Sequence, residues 1–320
     1  MGVISPVGND VNTFWSNLCD GVCGIDYIKS FPTDNLPVGI AGIIKDFKAE
    51  EYGMDKPFIR KQDLFTQYGV AAAYQAMKQS GLSSQGENKN IDPFRLGVYF
   101  GSGIGGFATQ YREISKMIED PSGQWISPLF IPTMISNIAA GHIAILHNAQ
   151  GPCLDIVTAC ATSTNAMGEA FRAIRNGYAD AIITGGCENA TIPIGIVGFA
   201  NAKALSRATD PNYASLPFNG NRAGSVMADG SAALVLEEYE HAKARGAQIL
   251  GEMVGYGNTC DAYHSTAPRP DGTTQAKCIE LALEEAGFDK EKDNLYINAH
   301  GTSTHLNDLC ETTAIKLALG

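Results

Sequence analysis

Apolar and polar positions alternate with two periods along this 320-residue chain, and each switch of period marks a change of element. Leu154, Ile156 and Val157 form a short apolar run, which predicts a strand buried on both faces. Past Cys160 the period becomes helical: Met167, Phe171 and Ile174 recur at i, i+4 and i+7, and Gly177 follows as a C-cap. The same reading predicts strands over residues 39–44, 95–100, 181–184, 232–236, 249–257 and 295–298. It predicts helices over 11–18, 64–79, 131–146, 194–205, 238–245, 273–286 and 308–319. Residues 46–61 read as polar loop, and 215–229 as glycine-rich and irregular. Strands alternating with helices predict an α/β fold with largely parallel sheets, and Gly246 marks a boundary within it.

Candidate chemistry collects where strands turn into helices. Cys160 sits at such a turn, where unpaired backbone N–H groups and the helix dipole favour the thiolate. A thiolate so placed can act as the nucleophile of acyl transfer; a cysteine used as small apolar filler is the structural alternative. A second turn of similar composition ends the 295–298 run, and it carries His300 between Ala299 and Gly301. A nucleophile on one turn and a base or oxyanion stabiliser on the other would make a thiol acyl-transfer site. His142 and His147 read as satisfied core or surface residues. Gly101–Gly106 has the G-x-G-x-x-G spacing of a dinucleotide loop, but no second strand ends in an acid some 20 residues on. The alternative is that these glycines admit a close backbone approach.

Composition narrows the field. Hydrophobic residues make up 44% of the chain, charged residues 18%, and there are 35 glycines, a profile that suits a tightly packed enzyme. A net charge of −11 argues against nucleic acid as a partner. No apolar run reaches the length of a membrane span, and the start lacks the pattern of a signal peptide. The 8 cysteines follow neither a disulfide nor a zinc spacing, so no metal is expected and a reducing cytoplasm fits.

Several stretches together carry a resemblance. T-A-C-A-T-S around Cys160, N-A-H-G-T-S-T around His300, G-S-G-I-G-G from Gly101 and D-A-Y-H-S-T-A-P from Asp261 are four of them. I-S-P-V-G-N-D from Ile4, A-K-A-L-S from Ala202 and S-A-A-L-V-L-E-E from Ser231 follow the same order. Taken together, the sequence resembles the synthase II group of the β-ketoacyl-acyl-carrier-protein synthases. The resemblance implies a thiolase-like fold of five αβαβα layers in two related halves, with residues 1–246 as the N-terminal half and 247–320 as part of the C-terminal one. It implies a homodimer that condenses acyl-Cys160 with malonyl-acyl-carrier-protein, with no bound cofactor, the substrates riding on the carrier's phosphopantetheine. His300 is then expected to stabilise charge on the malonyl thioester oxygen, and the Cys160 N–H to form one arm of an oxyanion hole. Thr302 and Thr304 would bond the pantetheine arm, Ile104 and Phe199 would line the acyl pocket, and Lys203 would meet the carrier protein. The family's second histidine segment and its glycine gate have no match here. The chain is therefore expected to be a fragment lacking both termini, inactive alone and prone to aggregate, with an unpaired apolar edge at 295–298. Around Arg222 the sequence reads N-G-N-R-A-G-S where the family has flanking carboxylates, so Arg222 is expected to lack its partners. Polyketide ketosynthases and non-catalytic chain-length-factor subunits are the alternatives within the same resemblance; Cys160 argues against the second.

Overall fold

The computed structural model describes all 320 residues. The strands are β1 (Gly2–Ile4), β2 (Ile25–Tyr27), β3 (Ile40–Gly42), β4 (Leu96–Gly101), β5 (Cys153–Leu154), β6 (Ala181–Glu188) and β7 (Gly230–Glu237). The helices are α1 (Val11–Cys19), α2 (Lys56–Lys61), α3 (Leu64–Ser80), α4 (Phe107–Glu119), α5 (Phe130–Met134), α6 (Ile138–His147), α7 (Thr162–Arg175), α8 (Pro193–Asn201), α9 (Tyr239–Ala244), α10 (Thr273–Ala286) and α11 (His305–Leu319). By contacts the chain forms two units. One holds Met1–Asp26, Gly42–Gly195 and Ala228–Leu250; the other holds Tyr27–Ala41, Ile196–Met227 and Gly251–Gly320.

The first unit is built on a five-stranded sheet in the order β1-β7-β6-β4-β5. The β6–β4 and β4–β5 pairs are parallel, whereas β1–β7 and β6–β7 are antiparallel, so the sheet is mixed. Parallel pairing requires crossover helices on the faces. α3, through Phe65, and α6 cover one face, against Leu96, Val98, Phe100 and Ile183. α7 covers the other, where Ala170 and Ala173 meet Tyr99 and Ile182. The alanine-rich middle of α3 reflects a close approach: a Cβ on Gly2 of β1 would sit 2.0 Å from the Ala72 carbonyl oxygen. Asp63 starts this helix by accepting from the Phe65 N–H, and Gly81 ends it in the left-handed region that favours glycine.

Several expectations change. Residues 131–146 form two helices, α5 and α6, separated by an extended Ile135. The polar stretch 46–61 contains α2, whose N-cap Asp55 accepts from the Phe58 N–H and whose Pro57 fits the first turn. The run before Cys160 pairs only at Cys153 and Leu154, on the sheet edge. Leu154 and Val157 are 49% and 51% exposed rather than buried on both faces. Nor are His142 and His147 satisfied, because the Nε2 atom of each is buried without a hydrogen-bond partner. Burial takes the His147 imidazole down to about 4.

In the second unit α10 packs on α11, with Ala276, Cys310 and Ala314 buried between or beside them. Residues 251–257 form no strand. They lie along α10, where the Tyr256 N–H donates to Glu285 at 2.8 Å and a Cβ on Gly257 would sit 1.9 Å from the Cys278 carbonyl oxygen. Residues 295–298 also form no strand, and Tyr296 is exposed. No helix is long and apolar enough to cross a membrane.

One buried carboxylate gives the first unit a defined response to acid. Glu113 on α4 meets Lys116 Nζ at 2.8 Å, Arg112 Nε at 2.9 Å and the Ser127 N–H at 3.0 Å. Burial opposes its ionisation, but the bonds from Lys116, Ser127 and Arg112 outweigh it and hold the carboxyl at about 2. A depressed carboxyl pKa adds stability above the unfolded value, and that stability is lost as pH falls through about 2. Glu113→Gln is expected to cost about 1–3 kcal/mol in urea unfolding at neutral pH, with the gap from wild type narrowing at about pH 3. A gap independent of pH would contradict this account.

Candidate active site

Two turns carry the candidate residues, one in each unit. In the first unit the chain leaves β5, runs through residues 155–158 and reverses at Ala159, whose φ is 52°. For a residue with a Cβ this left-handed conformation is strained. A single 3-10 turn, Ala159–Ala161, then runs directly into α7. Three polar side chains fix the turn. The Thr158 N–H donates to Thr162 Oγ1 at 2.9 Å, Asn165 Nδ2 donates to Thr158 Oγ1 at 2.8 Å, and the Ala161 N–H donates to the Thr158 carbonyl at 3.1 Å. Cys160 is exposed on this elbow and is in no disulfide. The α7 cap, Ala161, provides no side-chain acceptor to the first turn of the helix.

The elbow rests directly on the ends of β4 and β6. A Cβ on Gly101 would lie 2.3 Å from both the Ile156 carbonyl oxygen and Thr162 Cγ2, and one on Gly186 would lie 2.3 Å from Ser163 Oγ. The strand pairing sets these two glycines side by side. The glycine pattern therefore serves close backbone approach, as the second sequence reading expected. The dinucleotide reading fails on the same atoms. The Gly103 N–H is taken at 2.8 Å by Glu188, and the Gly105 N–H at 2.9 Å by Ser102 Oγ. Ile104, at the tip of this loop, is partly exposed.

In the second unit the His300–Thr304 turn is fastened from below. Both oxygens of Glu311 are used, one accepting from the His300 N–H at 2.6 Å and the other from the Gly301 N–H at 2.8 Å. Ser303, at φ 64°, is buried; its N–H donates to Asp308 at 3.1 Å and its Oγ accepts from the Leu216 N–H at 3.0 Å. The Thr302 and Thr304 hydroxyls are 2.8 Å apart. Arg222 is not left without partners. Its Nε lies 3.6 Å from buried Asp308, and its guanidinium donates to the Thr304 and His305 carbonyls at 3.4 and 3.2 Å. The carboxylate absent from its neighbourhood in sequence comes from α11. His300 itself is exposed above this anchored backbone.

The first unit thus brings the Cys160 elbow beside the loop that bears Ile104. The second holds His300, Thr302, Thr304, Phe199 and Lys203. Phe199 is exposed on α8, and Lys203 lies just beyond it at φ 59°, exposed, as is Arg207. Sequence reasoning did not single out Glu188, Asp308 or Glu311. The spacing of Asp308 and Glu311, three residues apart on a helix that begins right after the His300 turn, was the available signal.

Comparison with known proteins covers nearly the whole chain. Residues 1–242 match the N-terminal domain of beta-ketoacyl synthases and residues 250–320 the C-terminal domain. The chain is 46% identical over 321 residues to the 3-oxoacyl-[acyl-carrier-protein] synthase 2 of Vibrio cholerae, covering all of this chain and 76% of that protein. It is 45% identical over 320 residues to the protein of the same name from Staphylococcus aureus, covering all of this chain and 78% of the relative. Among solved structures, a type II PKS ketosynthase in complex with its acyl-carrier protein superposes with a TM-score of 0.88 at 31% identity, over all of this chain and 76% of that one. A beta-ketoacyl synthase from Burkholderia phymatum superposes with a TM-score of 0.87 at 29% identity, over all of this chain and 77% of its own. These neighbours share the ketosynthase fold expected from the resemblance, and with both domain matches in order the chain belongs to the beta-ketoacyl synthase family.

Proposed function

We propose that this chain is a 3-oxoacyl-[acyl-carrier-protein] synthase that extends fatty acyl chains by decarboxylative condensation. The observation that carries the reading is the Cys160 elbow: an exposed thiol on a strained turn at the start of a 14-residue helix. In the first step the Cys160 thiolate attacks the acyl thioester of acyl carrier protein, and the carrier's thiol leaves. Malonyl-acyl-carrier-protein then loses CO₂, and the electron pair of the broken C–C bond forms an enolate. The enolate carbon attacks the acyl-Cys160 carbonyl and expels the thiolate, which leaves a 3-oxoacyl carrier two carbons longer. His300 donates to the malonyl thioester oxygen as negative charge builds there. The Cys160 N–H serves the oxyanion of the acyl step, and Thr302 and Thr304 hold the pantetheine arm. Ile104 and Phe199 border the acyl chain. No resident cofactor takes part.

Identity of 45–46% to proteins named 3-oxoacyl-[acyl-carrier-protein] synthase 2, against 31% to a type II PKS ketosynthase, supports this reading over a polyketide one. The partner is acyl carrier protein, and with a net charge of −11 on this chain the attraction has to be local. Lys203 and Arg207 supply such a patch. A homodimer is supported by the free edge of β5 beside exposed Leu154 and Val157, an apolar strand edge that a second copy can complete. The cytoplasm suits a synthase of this kind.

Iodoacetamide labelling mapped by mass spectrometry is expected to reach Cys160 ahead of the other cysteines; preferential labelling elsewhere sinks the nucleophile assignment. His300→Ala is expected to load acyl groups on Cys160 at near the wild-type rate while losing CO₂ release from malonyl carrier by about a hundredfold or more. Unimpaired decarboxylation would remove His300 from the condensation step. Lys203→Glu is expected to raise the Michaelis constant for carrier-protein substrates and flatten its salt dependence without changing loading from a small thioester. An unchanged constant would move the docking surface elsewhere.

A further inference from the structure

Glu188 is a half-buried carboxylate with no lysine, arginine or histidine among its partners. It ends β6 two residues after Gly186, so the parallel register with β4 sets it beside the loop that follows Gly101. Its Oε1 accepts from Ser102 Oγ at 3.0 Å and its Oε2 from the Gly103 N–H at 2.8 Å, and it also receives the Ile104 N–H. Ser102 Oγ passes the bond on by accepting from the Gly105 N–H at 2.9 Å. One carboxylate therefore gathers successive backbone N–H groups, the arrangement of an anion-binding nest, with the anion supplied by the protein itself. Burial pushes the Glu188 carboxyl up, and the hydrogen bonds from Ser102, Gly103 and Ile104 work against that rise.

The loop has no slack on its other sides. A Cβ on Gly103 would lie 2.9 Å from Glu188 Oε2 and 3.9 Å from Ala159 Cα, so the loop is held between this carboxylate and the nucleophile elbow. Cβ atoms on Gly105 and Gly106 would lie 2.7 Å from the Met134 and 2.6 Å from the Thr133 carbonyl oxygens. Asp155 takes hold of Ser102 as well, through its backbone N–H, and also accepts from Ser136. Ile104 is the one residue of this stretch with a large side chain, and that side chain is partly exposed.

We infer that Glu188 is a positioning residue that holds the Ser102–Ile104 loop against the Cys160 elbow, and that by fixing Ile104 it sets which acyl chain lengths the site accepts. This rests on the assignment of Cys160 as nucleophile and Ile104 as a border of the acyl pocket. Without the carboxylate, the Gly103 and Ile104 N–H groups lose a charged acceptor, the loop moves, and long chains lose their wall while a two-carbon chain does not reach it.

The test compares wild type, Glu188→Gln and Glu188→Ala in two measurements. The first is the rate of Cys160 acylation by acetyl and by dodecanoyl pantetheine thioesters, read by mass spectrometry. The second is hydrogen exchange of the peptide spanning residues 101–106 against that of 181–186. Glu188→Ala is expected to change the dodecanoyl-to-acetyl rate ratio by about tenfold, the scale of one lost charge-assisted hydrogen bond, with acetyl loading within about twofold of wild type. Glu188→Gln keeps one carbonyl acceptor and is expected to fall between the two; it carries the test if the alanine variant does not fold. Exchange is expected to rise in 101–106 and stay level in 181–186. An unchanged ratio, or an equal loss for both thioesters, overturns the proposal. If wild type is acylated at a cysteine other than Cys160, the functional assignment has failed instead, and the two failures are told apart.

Discussion

The contact of the Cys160 elbow with the ends of β4 and β6 is the constraint on which the first unit depends. Gly101 and Gly186 leave no room for a side chain there, because Ile156, Thr162 and Ser163 occupy the space a Cβ would need. That single requirement explains why glycines face each other at the ends of β4 and β6, where α7 begins. Overpacking such a junction would force backbone shifts through both neighbouring strands. The thiol is thus presented by a turn whose height above the sheet is set by two missing side chains.

The second unit solves a related problem by different means. Its turn is fixed less by sterics than by carboxylates: Glu311 closes on the His300 and Gly301 N–H groups, and Asp308 on those of Ser303 and Phe218. Arg222 then reaches the same Asp308 and two neighbouring carbonyls. Charge-assisted bonds of this kind, in a partly buried setting, are stronger than their neutral counterparts. The unusual sequence around Arg222 is accommodated because its counter-charge arrives from a distant helix and not from adjacent residues.

Much of this was legible beforehand. The elements with strong periodicity or clear caps, such as α3 and α10, are legible to within a residue or so, and the turns bearing Cys160 and His300 are legible from the switch of apolar period. The errors share a cause. An apolar run at 295–298 or 249–257 records a preference for burial, but a strand also needs a neighbour to receive its hydrogen bonds, and periodicity does not name one. The run at 154–157 failed likewise, since a strand at a sheet edge buries only part of its surface. Glu188 went unnoticed because its partners, Ser102 and the Gly103 N–H, lie far away in sequence, whereas Asp308 and Glu311 bond backbone N–H groups of the nearby turn, which only their spacing on the helix could have signalled.

The left-handed backbone of Ala159 sets two demands on one residue against each other. An alanine in that region gives up about 1–2 kcal/mol that a glycine would not. Glycine would relax the turn, yet it would also free the chain on the residue that aims the thiol. Fitness for persistence and fitness for turnover thus pull residue 159 in opposite directions. Its side chain, a single methyl group, keeps the turn restricted at a cost in backbone strain.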